Sequence, residues 1–436
     1  MIWLAFFCEN ECNDLKTSTR NIQKMSMKGP SLRVRLVPSM ADIDAAAWDA
    51  CANPPGLVVA QDDPQKERYN PFLSHAFLLA CEASGSAVAK SGWGGAHVLV
   101  EDAQGKLVAA APAYLKAHSM GEYVFDWSWA EAYERAGGDY YPKLLSAVPF
   151  TPVTGRRLLV APGDVEAEAR ETLLAGLAAV REKTNASSIH VNFLPKAEWD
   201  AMGDAEFMKR TGKQFHFFNR GYGSFDGFLE QLASRKRKMI RRERKDALAN
   251  DISIEKLTGA QITEAHWDAF YNFYLDTGAR KWGRPYLTRK FYSLIGQSMA
   301  DRILLVMASR NGRMIAGAIN FIGDDALYGR NWGCIEEHPF LHFELCYYQA
   351  IEFACERGLS RVEAGAQGEH KLARGYEPVP TYSAHQIADP RLARAVREFL
   401  VHEREQVEEQ IEDYAEHVPF KKAQDTAASS EGDLSI

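Results

Sequence analysis

A hairpin-like segment occurs twice in this chain, once in each half, and nothing else in the sequence constrains the fold as tightly. Val98-Leu-Val-Glu-Asp-Ala-Gln-Gly-Lys-Leu-Val-Ala-Ala-Ala111 aligns without a gap on Leu305-Val-Met-Ala-Ser-Arg-Asn-Gly-Arg-Met-Ile-Ala-Gly-Ala318. Each copy reads as a strand, a polar turn ending in glycine and a base (Gly105-Lys106, Gly312-Arg313), and a second strand, the pattern of an antiparallel hairpin. A third strand is expected after each, over 122–126 and 326–331, running into Trp127 and Trp332.

The surroundings repeat as well. The first hairpin is followed by patterns for a strand over 157–160, a helix over 168–183 and strands over 188–194 and 214–218. The helix carries Leu173, Leu174, Leu177 and Val180 on one face. In the strand at 188–194, Ile189, Val191 and Phe193 alternate with His190 and Asn192, the period of a half-buried strand. The second hairpin is followed by a helix over 343–357, stopped by Gly358, and strands over 361–364 and 381–387. Trp267, Phe270, Tyr271 and Tyr274, ahead of it, form a helical stripe read as core. The expected class is therefore α/β, with two tandem units of mixed sheet flanked by helices.

A chain of 436 residues exceeds a single ordinary core. The division expected is a loose tail over 1–31, a first domain over 32–220, a second over 221–390, a C-terminal helix over 391–420 and a disordered tail over 421–436. The apolar start, Met1-Ile-Trp-Leu-Ala-Phe-Phe7, is too short for a signal core and lacks a preceding base. No run approaches the ~20 apolar residues of a membrane span. Seven scattered cysteines without a Cys-x-x-Cys pair fit free thiols in a reducing cytoplasm, not disulfides or zinc. The net charge of −7 excludes a global nucleic-acid surface but not a local one. The candidate for one lies between the halves, where Arg235 to Lys245 holds eight bases and one acid, a run that otherwise reads as a solvated helix face. The terminal helix has an acidic face and carries Leu400, Val407, Ile411 and Tyr414 on one side, a pattern that packs on the body or on a second subunit.

Functional side chains concentrate in Gly365-Ala-Gln-Gly-Glu-His-Lys-Leu-Ala-Arg-Gly-Tyr376. Between its glycines stand groups able to donate, accept or shuttle protons. A strand-loop-helix junction also turns free backbone N–H groups outward, ready for an oxyanion or phosphate.

Two tandem units of this order resemble the GNAT acyltransferase fold, and their pairing resembles its FemAB-like branch. Characterised members of that branch move amino acids from aminoacyl-tRNA onto peptidoglycan precursors. The resemblance rests on three matches: the basic helix running into Asp251-Ile-Ser-Ile-Glu255, the helix ending at Gly358 before Arg361-Val-Glu-Ala-Gly365, and Lys371-Leu-Ala-Arg-Gly-Tyr376 in place of a Phe-Lys-x-x-Phe-like segment. More specifically, the chain is similar over 32–420 to bacterial predicted N-acyltransferases. These carry Asn70-Pro-Phe-Leu-Ser-His75, His118-Ser-Met-Gly-Glu-Tyr-Val-Phe-Asp126, Pro149-Phe-Thr-Pro-Val153 and Gly365-Ala-Gln-Gly-Glu-His-Lys371. Two family features are missing: the Arg/Gln-x-x-Gly-x-Gly/Ala pyrophosphate loop of acetyl-CoA enzymes, and the long coiled-coil insert of classical Fem enzymes.

The resemblance implies acyl transfer in which an amine attacks the donor directly, with no covalent enzyme intermediate. The protein then has to orient both partners, take a proton and stabilise an oxyanion. The expected catalytic residues are Glu363, His370 and Gln367. Donor or substrate contacts are expected from Arg330, Asn331, Trp332, Lys371, Arg374, Tyr376, Arg280 and Trp282, and polyanion contacts from Arg237, Arg241 and Arg242. His75, Trp93, His118, Glu122, Tyr123, Asp126 and Trp127 are candidates for lining a second cleft. The donor is expected to be acyl-CoA or aminoacyl-tRNA, the acceptor a small-molecule or peptide amine, with tRNA a candidate partner and no metal. The alternative is a catalytically silent GNAT-fold module that binds a ligand. A cytoplasmic location and a dimer through the C-terminal helix complete the expectations.

Overall fold

The structure is a computed structural model that describes residues 32–54, 69–281, 285–365 and 368–421. Both tails lie outside the described residues, apart from Lys421. Among these residues fifteen strands run in chain order. In the first half these are β1 (Arg33–Val37), β2 (Trp93–Gly95), β3 (His97–Glu101), β4 (Leu107–Ala111), β5 (Ala113–Lys116), β6 (Lys143–Ser146), β7 (Leu159–Val160), β8 (Ser188–Leu194) and β9 (Met208–Phe218). The second half adds β10 (Ile252–Thr258), β11 (Ile303–Arg310), β12 (Arg313–Ile322), β13 (Ala326–Cys334), β14 (Arg361–Glu363) and β15 (Glu377–Ile387).

Both repeated segments are hairpins. Gly105 and Gly312 sit in their turns with φ of +79° and +75°, a region that side chains disfavour. The turns themselves differ. Asn311 and Gly312 close a two-residue loop, whereas Asp102 to Lys106 form a longer one in which Asp102 Oδ1 accepts from Gln104 N and Lys106 N. The first hairpin also changes sheet midway. Its turn end (β3, β4) joins β1 and β7 in a four-stranded sheet, and its stem (β2, β5) joins an eleven-stranded one. The switch falls at Ala96 and Pro112, and proline has no N–H to continue a ladder.

The expected strand over 122–126 does not form. Residues 117–126 are a loop, Trp127–Arg135 is a helix, and the third strand is β6. Glu122 and Asp126 are buried against Lys116 and Lys143, so ion pairing shapes this stretch instead of strand alternation.

The large sheet runs β10-β11-β12-β13-β14-β9-β15-β8-β6-β5-β2. Each half contributes an antiparallel meander ending in one parallel pair, β6 with β8 and β13 with β14. The closing strands are exchanged. β9, from the first half, pairs with β14, while β15, from the second, pairs with β8, and the two pair with each other from Glu377↔His216 to His385↔Met208. The described residues from 32 to 421 accordingly form one compact unit, and a boundary at 220 divides the chain but not the sheet. The terminal helix (Pro390–Glu416) packs on β9 and β15 through Leu392, Val396 and Leu400, and Arg210 grips Glu403 at 2.7 and 2.8 Å. Its outer face leaves Phe399 and Val401 exposed.

Candidate active site

The parallel strands β13 and β14 pair only from Ala326↔Arg361 to Tyr328↔Glu363 and then part. In the opening lies a cavity of about 90 Å³, lined by Gly329 to Trp332, Asn320, Ala364, and His342, Cys346 and Tyr347 from the covering helical run. Where that run begins, Glu344–Tyr348 is π-helical, a distortion frequent at functional sites. On the opposite side β13 touches the helix Glu264–Lys281 so closely that a Cβ on Gly333 would stand 2.2 Å from Phe273 O.

Arg330 is the central charge. Its guanidinium lies over Phe72 (4.5 Å) and Tyr328 (5.6 Å), and Nη1 donates to Gly329 O at 2.7 Å. Among the described residues Nε and Nη2 are buried without a partner, and so is Nε1 of Trp332, whose ring packs on His342. Burial brings Arg330 down to about 10, and nearby Glu363 opposes that. Orphaned buried donors are costly unless something occupies them. Arg330 and Trp332 both line the opening, and donors of this kind suit a carbonyl or an oxyanion.

Glu363 accepts from Arg361 Nε at 3.0 Å, and its other oxygen stands 4.0 Å from His216 Nε2. Burial alone would raise this carboxyl. His216, Arg361 and Arg330 more than reverse that and hold it below its ordinary value. Glu363 is thus an anion at neutral pH, better suited to holding a cation than to taking a proton. Burial pushes His216 down to about 4.

Lys371, next to this site, is poised near neutrality. It is 1% exposed, donates from Nζ to Gly365 O at 2.9 Å, and is pushed down to about 7 by burial. His370 is exposed, bonded through Nε2 to Tyr347 OH at 2.9 Å and flanked by Phe343. It meets the cavity's lining through Tyr347 and His342.

Arg374 is held elsewhere. Its Nη2 donates to both Glu243 oxygens at 2.9 Å and its guanidinium lies 3.4 Å over Phe343. The Tyr376 ring is buried against Phe217 and Tyr347. Arg241 and Arg242 are exposed on the basic helix (Ser234–Ala247), paired with Asp226 and Asp246, and Arg237 on the same helix is partly buried. That helix packs on the Glu369–Arg374 turn and on Leu341–Phe343, beside the cavity's covering run. Gln367, Trp282 and the side chain of Arg280 lie outside the described residues.

A second, larger cleft of about 420 Å³ opens over β9 and β15. Tyr123, Phe125, Gln214, Glu369, Ser383 and Glu403 are among its walls, so two of the sequence motifs meet there. Gln214 Oε1 lies 3.1 Å from His216 Nε2, which links this cleft to Glu363. Of the first-half candidates only Tyr123 reaches it. His75 bonds Met40 O (2.8 Å), His118 bonds Ser91 O (3.0 Å), Lys116 sits 3.7 Å above the Trp93 ring, and Trp127 is exposed. The sequence reading missed Gln214, His216 and Ser383. Alternating polar residues on β9 and β15 were the available signal, but the strand exchange that faces them together has none.

The fold is a mixed α/β arrangement of two tandem halves, each an antiparallel meander ending in a parallel pair, joined by exchanged strands. The chain belongs to the FemAB-like family, whose model, described as peptidoglycan biosynthesis/recognition, matches residues 39–422. Among curated proteins none matches the sequence. Similar solved structures include FemX, with 11% identity over 81% of this chain and 98% of that one and a TM-score of 0.48. A tandem GNAT protein from the clavulanic acid biosynthesis pathway shares 12% identity over 83% and 99%, with a TM-score of 0.42. L-PGS from Bacillus licheniformis shares 9% over 77% and 98%, with a TM-score of 0.44.

Proposed function

We propose that the protein is an N-acyltransferase that moves an acyl or aminoacyl group from an activated donor to an amine by direct attack, with the reacting carbonyl in the opening between β13 and β14. The observation that carries this reading is that two residues lining the opening hold donors unpartnered among the described residues, Nε and Nη2 of Arg330 and Nε1 of Trp332. Such donors would answer the negative charge that develops on the carbonyl oxygen. As the C–N bond forms and the donor's ester or thioester bond breaks, the attacking nitrogen must lose a proton. Lys371, near 7, is the group that can take it at neutral pH. Glu363 holds the cationic end of a substrate or keeps Arg330 in place.

The donor favoured is aminoacyl-tRNA. Between β13 and the following helix, Glu336 and Glu337 stand where acetyl-CoA enzymes need a glycine-rich anion cradle, and Glu336 is paired with Arg310 (2.9 Å) and His338 (3.2 Å). A pyrophosphate would meet negative charge there. The basic helix flanks the same covering run and supplies a cationic surface for RNA phosphates. The acceptor amine enters from the larger cleft, and the reaction is placed in the cytoplasm with its tRNA. Among the described residues no helix is long and apolar enough to cross a membrane, and no group of three or more His, Cys, Asp and Glu could hold a metal ion.

The test is a donor screen with labelled acyl-CoAs and charged tRNA, with and without ribonuclease. Ribonuclease-sensitive consumption in the presence of an amine is expected. Turnover of neither donor with any amine would leave the ligand-binding module as the reading.

A further inference from the structure

Below the larger cleft runs a buried chain of side chains that acyl transfer by direct attack does not use. Ser383 and His385 lie two apart on β15 and so share a face. Ser383 lines the cleft, and its Oγ is 2.9 Å from His385 Nε2. His385 is paired in register with His190 on β8, and their Nδ1 atoms are 2.7 Å apart. His190 Nε2 is 2.7 Å from Ser188 Oγ, 3.5 Å from Tyr140 OH and 3.9 Å from Asp126 Oδ2. All four members from Ser383 to Asp126 are buried.

The charge on Asp126 sets the direction of this chain. Burial opposes its ionisation, but the Lys143 ammonium bonded to it and His190 beside it hold the carboxyl well below its ordinary range. Burial pushes His190 down to about 3 and His385 well below its ordinary value, so both rings are neutral. An anion facing His190 Nε2 favours the tautomer with the proton there. His190 Nδ1 then accepts from His385 Nδ1–H, which leaves His385 Nε2 as an acceptor for the Ser383 hydroxyl. Nucleophile, base and tautomer-fixing partners stand in the relation that activates serine in acyl transfer.

We propose that Ser383 is a nucleophile toward carboxylic esters bound in the 420 Å³ cleft, with His385 as its base and His190 and Asp126 as positioning residues. Ser383 Oγ bonds the carbonyl carbon while its proton passes to His385 Nε2. The ester C–O bond breaks, and that proton goes to the leaving alcohol. Water then attacks the acyl-serine, giving a proton to His385, and the Oγ–C bond breaks as His385 passes that proton to Oγ, releasing the acid and free Ser383. Phe125, Phe193 and Phe215 on the walls suit an apolar acyl group.

The test uses the full chain with a fluorophosphonate probe and with p-nitrophenyl butyrate, without any amine or activated donor, so its outcome is independent of the transferase reading. A covalent phosphonyl adduct mapped by mass spectrometry to Ser383, together with p-nitrophenolate release, is expected. Ser383→Ala, a change of one hydroxyl, should abolish both, with a cooperative thermal transition showing that the variant is folded. His385→Asn should slow labelling ~10²–10⁴-fold. Wild-type protein without an adduct at Ser383, or ester hydrolysis undiminished in Ser383→Ala, overturns the proposal, and neither depends on the histidine variant folding. Labelling of folded His385→Asn at the wild-type rate would overturn it as well.

Discussion

Lys371 ties stability and activity to pH through one buried ammonium. Its folded pKa, about 7, lies below its ordinary value of 10.5. Between those values the unfolded chain binds a proton that the folded chain does not, so stability rises with pH across the window. The cost of burying the ammonium is fully present below pH 7. Lys371→Met should remove this dependence, flattening the 7–10.5 window by up to about 1.4 kcal/mol per pH unit and leaving the variant as stable as wild type or more so at pH 6. Denaturant unfolding at a series of pH values checks it. The same change should lower kcat by ~10²–10⁴-fold and erase the rise of kcat/KM through pH 7. Trp332→Phe keeps the ring on His342 but deletes Nε1. It should lower kcat about 10²-fold or more with little change in KM, as loss of an oxyanion donor does. Unchanged kcat would remove Trp332 from the site.

At the scale of elements, the basic helix has two sides with different duties. Its inner side is structural: Glu243 is buried and accepts from Arg374 and from Tyr348 OH, and Arg244 grips Glu344 and Glu352. Glu243→Ala strands a buried Arg374 and should cost about 3–5 kcal/mol, measured by denaturation. The outer side presents Arg241 and Arg242 to solvent with weak surface partners. Replacing Arg237, Arg241 and Arg242 together by Gln should leave stability nearly unchanged but weaken tRNA binding. The slope of log affinity against log salt should fall by about 2–3, as three lost phosphate contacts require. An unaltered slope would reduce that face to a solvated surface. The sequence showed the charge run and its helix; that Arg374 belongs to this structural side appears only once Glu243 is seen beneath it.

At the scale of the molecule, the exchange of β9 and β15 makes each half depend on the other. A fragment ending near 222 carries β9 but neither of the strands that flank it, β14 and β15, and it leaves β8 without β15. Such a fragment and its complement should each lack native cooperativity alone and regain it when co-expressed. Circular dichroism melts of the separate and mixed halves would show this. Independent folding of either half, with a sharp transition, would refute the dependence.

The sequence by itself determined what local periodicity and turn chemistry encode. The two hairpins, the helix Glu166–Lys183, the basic helix and the terminal helix are readable because apolar period, glycine turns and charge runs act over a few neighbouring residues. It also marked the Arg330-Asn-Trp332 segment and the loop holding Lys371. Only the tertiary structure decided which strands neighbour which, because backbone pairing is nearly blind to side-chain identity and the exchange leaves no local trace. It decided as well which polar groups lose water. Residues 122–126 alternate like a strand yet turn inward to meet lysines, and Lys371 and His370, adjacent in the chain, end in opposite surroundings. Burial, not residue type, separates the ammonium brought near neutrality from the imidazole left in solvent.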